Sequence, residues 1–258
     1  MPRVARKKSG TNFYHVMLRT INRQDLFLDH EDRQRFIDTL IRFKVKSGYE
    51  IYGYCLMTNH IHLLMQAVEE DIAIVMKRIN VSYVYWYNNK YERAGHLFQD
   101  RYKSEAVEND AYFMVVLRYI HQNPLKAGLV SKLSEYCWSS YNDYLQNNEN
   151  LVNVEYVFNL FHQDKKEALK LFKTFMSQKN NDRCLDDFEI RRKNWSAEEV
   201  ADLLYKVCET RDFKKISTFK KKKRDKVILD LRDRGLTIRK LAEITGLGRG
   251  VIERVTRR

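Results

Sequence analysis

The chain has 258 residues, 44% apolar and 31% charged, which is enough to bury a core and unlike the composition of a disordered chain. Its longest apolar runs are only a handful of residues, as in Phe113–Leu117, which excludes a transmembrane helix of roughly 18 residues or more. The formal net charge of +13 is uneven, because residues 211–258 hold 17 Lys/Arg against 6 Asp/Glu and the preceding residues hold 30 against 28, so the C-terminal block predicts a polyanionic partner.

The N-terminus, Met1-Pro2-Arg3-Val4-Ala5-Arg6-Lys7-Lys8, is basic and lacks a signal-peptide apolar stretch, so a cytoplasmic, nucleoid-associated protein is expected. Tyr14–Arg19 is compatible with a strand. A helix is expected from Asp29, capped by that carboxylate, with Phe36, Ile37, Leu40, Ile41 and Phe43 on one face and Gly48 closing it. Tyr49–Met57 reads as a strand, and a tight Thr58-Asn59 turn leads into a second one, His60–Ala67. Ile72, Val75, Met76, Ile79, Tyr83 and Trp86 recur at helical spacing between Asp71 and Glu92. A strand-like stretch at Tyr102–Val107 precedes a helix from Asp110. That helix is expected to stop at Asn123, because a proline disfavours helical geometry in the residue before it. The order β-α-β-β-α-β-α is an α+β pattern of the ferredoxin-like kind, with an antiparallel sheet.

Residues 145–218 read as a mainly helical connector, with Val157, Leu160, Phe161, Leu169, Phe172 and Phe175 as its apolar positions. Beyond it, a basic helix is expected over 220–234. Thr237 can cap a second helix to Thr245, and Gly246-Leu247-Gly248 turns into a third ending near Val255. The expected division is therefore an α+β domain over 1–144, the connector over 145–218 and a basic C-terminal domain over 219–258. Cys55, Cys137, Cys184 and Cys208 are too scattered for a disulfide framework or a cysteine zinc site and read as reduced packing residues.

Two patterns bear on chemistry. In His60-Ile61-His62 the histidines sit two apart on a strand, so both imidazoles share one sheet face and can hold one divalent cation. A pair of ordinary core or surface histidines has the same spacing. Tyr119 and Asn123 stand one turn apart on the last helix of the first region. A phenol can be a nucleophile and a carboxamide oxygen a metal ligand, yet Tyr119 also continues the packing face of Tyr112 and Val116. His121 points about 200° round the helix from Tyr119.

Four stretches carry a more specific resemblance. They are Tyr14–Arg19 with Asn22-Arg23-Gln24 and Leu26-Phe27; Met57-Thr58-Asn59-His60-Ile61-His62-Leu63-Leu64; Gly95–Lys103; and Arg118-Tyr119-Ile120-His121-Gln122-Asn123-Pro124 continuing to Val130. In this order they resemble the IS200-like, REP-associated tyrosine transposases, whose two-histidine motif lies in a strand hairpin. The resemblance covers residues 2–130. It implies a single-strand DNA transposase or endonuclease that cleaves and rejoins repeat or hairpin ends through a 5′-phosphotyrosine. It makes Tyr119 the nucleophile and His60, His62 and Asn123 the ligands of one Mg²⁺ or Mn²⁺. Asn, where insertion-sequence members usually have Gln, is closer to the REP-associated branch. Histidine-rich sites also suit zinc, but an oxygen third ligand and a phosphate substrate favour Mg²⁺ or Mn²⁺. No GxxxxGK[ST] stretch occurs, and no nucleotide cofactor is expected.

The C-terminal helices fit a DNA-binding helix-turn-helix, with Leu241, Ala242, Gly246, Leu247, Ile252 and Val255 inside or in the turn. Lys221, Lys222, Lys223, Arg224, Arg249, Arg254, Arg257 and Arg258 are its candidate DNA contacts; a solubilising helical hairpin is the simpler alternative. Arg3, Arg6, Lys7 and Lys8 could touch DNA or fray. Tyr83, Tyr85, Trp86 and Tyr87 could stack on bases, though Tyr83, Trp86 and Tyr87 fit a core. Glu105 and Glu108 lie near the candidate site without an assigned role. Membrane binding is not expected, and family relatives act either as homodimers or as monomers. Two rivals remain: a replication-initiator or relaxase-type nuclease, and a regulator that binds repeat DNA without cutting.

Overall fold

The structure, a computed structural model, describes residues 6–179, 182, 184, 185, 197–208, 215–233, 236 and 238–256. It divides into two compact units, residues 1–185 and 186–258.

The first unit is built on β1 (Phe13–Arg19), α1 (His30–Ser47), β2 (Tyr49–Leu56), β3 (His60–Ala67), α2 (Ile72–Lys90), β4 (Lys103–Ala106) and α3 (Asp110–Lys126). The strands form one antiparallel sheet in the order β2-β3-β1-β4, the arrangement expected of the split βαβ pattern. Local chemistry explains the element ends. The Asp29 carboxylate accepts from the Asp32 amide and Asp32 answers in a reciprocal capping box, while Gly48 ends α1 at φ 55°. Asp71 and Asn109 cap α2 and α3 by accepting from the Ala73 and Tyr112 amides. Ile41 is 36% exposed, so the buried face of α1 is narrower than its apolar spacing suggests.

Alternation on the strands sorts the sheet into two faces. Tyr49, paired with Ala67, donates its hydroxyl to the Leu40 carbonyl, so α1 covers the face of Ile61, Leu63 and Met65. Phe36 of α1 meets Tyr83 of α2 edge-on, and Tyr83 and Tyr87 are buried core residues. The opposite face, carrying Phe13, His15, His60 and His62, is covered by α3, whose Phe113 packs against Phe13. Helix and sheet meet closely at Gly53, where a Cβ would lie 2.7 Å from Leu117 Cδ1.

Two expectations are corrected in this unit. Helix α3 does not stop at Asn123; it passes through Pro124 to Lys126. Proline deprives only the Ile120 carbonyl of its helical donor. The turn is otherwise completed by Ala127 N–H to Asn123 O at 2.9 Å and Leu129 N–H to Pro124 O at 2.9 Å. Burial of residues 116–124 against the sheet outweighs the local bias. Nor are residues 145–179 a connector. After α4 (Tyr141–Gln146), helices α5 (Val154–Phe161) and α6 (Lys165–Ser177) place Val157, Phe158, Phe172 and Met176 in the core of the first unit. Phe172 stacks on Tyr144 with ring centroids 4.6 Å apart.

The second unit has its own core of Val200, Leu204, Ile216, Ile228, Leu231, Leu236, Leu241 and Ile252. Its helices are α7 (Ala197–Cys208), α8 (Lys215–Thr218), α9 (Lys221–Asp233), α10 (Ile238–Thr245) and α11 (Arg249–Thr256). The expected boundaries at 144 and 218 therefore differ from the structure, because α7 and α8 pack inside this second core. Thr237 lies outside the described residues. Among those described, Cys55 and Cys184 are buried, whereas Cys137 is exposed and not a packing residue. No helix among the described residues is long and apolar enough to cross a membrane.

Candidate active site

The hairpin between β2 and β3 presents the two histidines. The Met57 amide bonds the His60 carbonyl at 2.9 Å, closing the Thr58-Asn59 turn at the start of β3. His60 and His62 then stand on one sheet face with ring centroids 5.0 Å apart. His60 Nδ1 lies 2.7 Å from Asn59 Oδ1. A carboxamide oxygen only accepts, so His60 carries its proton on Nδ1 and its lone pair on Nε2. His62 Nδ1 lies 3.0 Å from His15 Nε2 of the neighbouring β1.

Helix α3 brings Tyr119 over this face. Its ring centroid is 5.7 Å from His62 and 5.9 Å from His15, both edge-on. Asn123, one turn later, donates its Nδ2 to the Tyr119 carbonyl at 2.9 Å, leaving Oδ1 as the atom that could coordinate. Tyr119 is only 3% exposed, and Lys126 Nζ lies 4.9 Å from its ring centroid. His121 faces elsewhere, with Nε2 2.7 Å from Ser140 Oγ, among Tyr141, Tyr144 and Phe172.

The donor set suits a divalent cation: two imidazoles on one face and a carboxamide oxygen on the covering helix. Burial, the largest cause, reinforced by the neighbouring His60, His15 and Arg19, holds His62 far below the usual imidazole range, hence neutral as a ligand must be. No group of three or more His, Cys, Asp or Glu residues forms a metal cluster among the described residues, and Asn123, one turn beyond Tyr119, is the candidate third ligand from the chain.

The buried histidines also affect stability. Burial lowers His15 and His121 to about 3. Between pH ~6.5 and ~3 the unfolded chain takes up protons that the folded chain refuses, so stability falls with acid. The expected slope is up to about 1.4 kcal/mol per pH unit for each histidine. Urea midpoints at pH 7, 6 and 5 check this; His121→Gln should remove about one histidine's share of the slope, and an unchanged slope would contradict its burial as a neutral ring.

Sequence reasoning missed three contributors. His15 was visible only as part of a motif, Glu105 had no assigned role, and Asn59 read as a turn residue. Period-two alternation on β1 could have put His15 on the α3 face, but no local signal indicates which residue of β3 stands beside it.

Among the basic candidates, Lys221, Lys222, Lys223, Arg249 and Arg254 are exposed in the second unit. Arg224 is half-buried and bound to Asp225 through Nε and Nη2 at 3.0 and 2.9 Å, so it is the least available. Arg3, Arg257 and Arg258 lie outside the described residues. Arg6 is docked, not frayed: its guanidinium donates to the Tyr102 carbonyl and stacks 3.9 Å over that ring. Tyr85, 70% exposed, is the one of the four helix-α2 aromatics fully open to a base.

Comparison with known proteins follows the same outline. Residues 10–123, which span the sheet and end at Asn123, match the family model described as transposase, IS200-like. Over this segment the chain is similar to the IS200-like transposases. A solved REP-associated tyrosine transposase, bound to a REP hairpin, aligns with a TM-score of 0.51 at 18% identity, covering 60% of this chain and 90% of its own. A candidate transposase from Deinococcus radiodurans aligns with a TM-score of 0.34 at 16% identity, over 58% of this chain and 99% of its own. No curated protein matches the chain. The matched segment thus ends on the helix that carries Tyr119, while α5 and α6 complete the core of the first unit from outside the matched residues.

Proposed function

We propose that the protein cleaves and rejoins single-stranded DNA at repeat or hairpin ends, with Tyr119 as nucleophile and His60, His62 and Asn123 as ligands of one Mg²⁺ or Mn²⁺. The observation that carries this reading is Tyr119 packed edge-on against His62, 5.7 Å between centroids, on the face that also carries His60. The domain's family and the REP hairpin bound by the solved neighbour support DNA as the substrate class.

A divalent cation held there would supply charge stabilisation to the non-bridging oxygens of the phosphodiester. The remaining work falls to the chain. Tyr119 Oη attacks phosphorus, the P–O3′ bond breaks, the phenol proton passes to solvent and the departing 3′ oxygen takes one up. The product is a 5′-phosphotyrosine and a free 3′-OH, which can reverse the step to rejoin strands without ATP. Tyr119 is 3% exposed, so only a small part of the residue is open to a strand. Lys126 puts a cation over the Tyr119 ring, a charge that favours an anionic strand there. The test is a covalent-adduct assay with labelled single strands from the flanking repeats. A metal-dependent, denaturant-resistant adduct supports the reading, whereas tight binding without adduct under every metal tried points to a non-cutting regulator.

In the second unit we propose that α10 and α11, joined through Gly246 at φ 70°, act as a helix-turn-helix on DNA, with α9 gripping the backbone. Affinity should fall with salt, with a log–log slope of about −0.7 to −0.9 per phosphate contact. Replacing Lys221, Lys222 and Lys223 together by Ala should flatten that slope by about two to three, and Arg224→Ala by less, because Asp225 already holds its charge. Fluorescence titrations from 50 to 300 mM salt measure it; a flat response in the intact protein would remove the phosphate-grip role.

A further inference from the structure

Two side chains beside the candidate site have no part in the chemistry above. The strand register sets Glu105 directly opposite His15, and Met17 opposite His62, so His15 is one diagonal step from His62 on the same sheet face. His15 Nε2 is 3.0 Å from His62 Nδ1, and both residues are fully buried. On its other side, His15 Nδ1 lies 4.0 Å from Glu105 Oε2. Glu105 in turn is hydrogen-bonded by Tyr112, which sits two turns before Tyr119 on α3.

We propose that Glu105, His15 and His62 form a relay across β4, β1 and β3 that holds His62 in the tautomer whose Nε2 lone pair faces the cation, so that His15 is a positioning residue. The inference rests on the metal reading above. Two neutral imidazoles joined by one N···N hydrogen bond have two proton arrangements. In the first, His62 donates from Nδ1 to His15 Nε2, the His15 proton lies on Nδ1 facing the carboxylate, and His62 Nε2 is a lone pair. In the second, His15 donates from Nε2, its Nδ1 lone pair confronts the Glu105 carboxylate, and His62 Nε2 carries a proton and cannot coordinate. The carboxylate selects the first arrangement by attraction for N–H and repulsion of a lone pair. Asn59 imposes the same tautomer on His60. Both ligands are thus oriented by an acceptor behind them, one from the hairpin turn and one from the relay.

The experiment uses the intact protein without DNA. The Mn²⁺ dissociation constant is read by electron paramagnetic resonance of free Mn²⁺, and histidine tautomers by long-range ¹H–¹⁵N spectra of the metal-free protein. His15→Phe, which keeps a ring but no acceptor, should weaken Mn²⁺ binding by about 10- to 100-fold. His15→Gln, whose terminal amide can occupy the position of Nε2, should recover most of it. Glu105→Gln should fall between, and His62 in the wild-type protein should show its proton on Nδ1. Wild-type affinity in His15→Phe alongside loss in His62→Ala would overturn the relay alone, as would a proton on His62 Nε2. Unaltered Mn²⁺ binding in both His60→Ala and His62→Ala would overturn the metal reading and the relay with it. If melting shows His15→Phe to be unfolded, Glu105→Gln and the wild-type tautomer decide the question.

Discussion

Tyr119→Phe is expected to reduce covalent adduct formation by at least about a thousandfold, to below detection on a denaturing gel. The substitution removes one oxygen and keeps the ring, so the edge-on contacts to His62 and His15 at 5.7 and 5.9 Å are retained. Binding of the same DNA strands and of Mn²⁺ should stay within a few-fold of wild type. Loss of adduct with binding intact separates a missing nucleophile from a damaged fold. A chelator should abolish the wild-type adduct to the same extent. An adduct that persists in Tyr119→Phe would transfer the nucleophile to another side chain. Adduct formation that is indifferent to the chelator would remove the cation while leaving the tyrosine in place.

The second large effect concerns stability. Phe172→Ala is expected to cost the first unit about 3–5 kcal/mol. Phe172 is fully buried and packs against Tyr141, Tyr144, Phe158, Phe161 and His121, with the stacked Tyr144 ring 4.6 Å away. Truncation leaves a cavity that these rings, held by their own helices, can close only in part. A helix serving merely as a tether would lose less than about 0.5 kcal/mol on the same change. Urea unfolding followed by near-ultraviolet circular dichroism distinguishes the two. The measurement also tests the unit boundary at 185, since a domain complete at residue 144 would not depend on Phe172.

How far the sequence could be read depended on the distance between the interacting residues. The strand and helix spans, the Asp29 and Gly48 signals and the shared face of His60 and His62 follow from neighbours within about four residues, where side-chain periodicity and capping chemistry act. The same holds for Tyr119 and Asn123, one turn apart on a single helix, and for the excess of positive charge in the last segment. The end of α3 was misread because the bias against helix before Pro124 is local, whereas the burial that overrides it comes from the sheet beneath.

The sequence by itself thus determined the elements, the order in which they recur and which polar side chains share a strand or helix face. Only the tertiary structure decided that His15 stands behind His62, 47 positions away in the chain, that Glu105 completes the row, and that Phe172 fills the core beneath His121. Those pairings are set by strand register and by volume matched across packed layers. Both are properties of distant segments brought together, and neither leaves a trace in the spacing of residues along one strand or one helix.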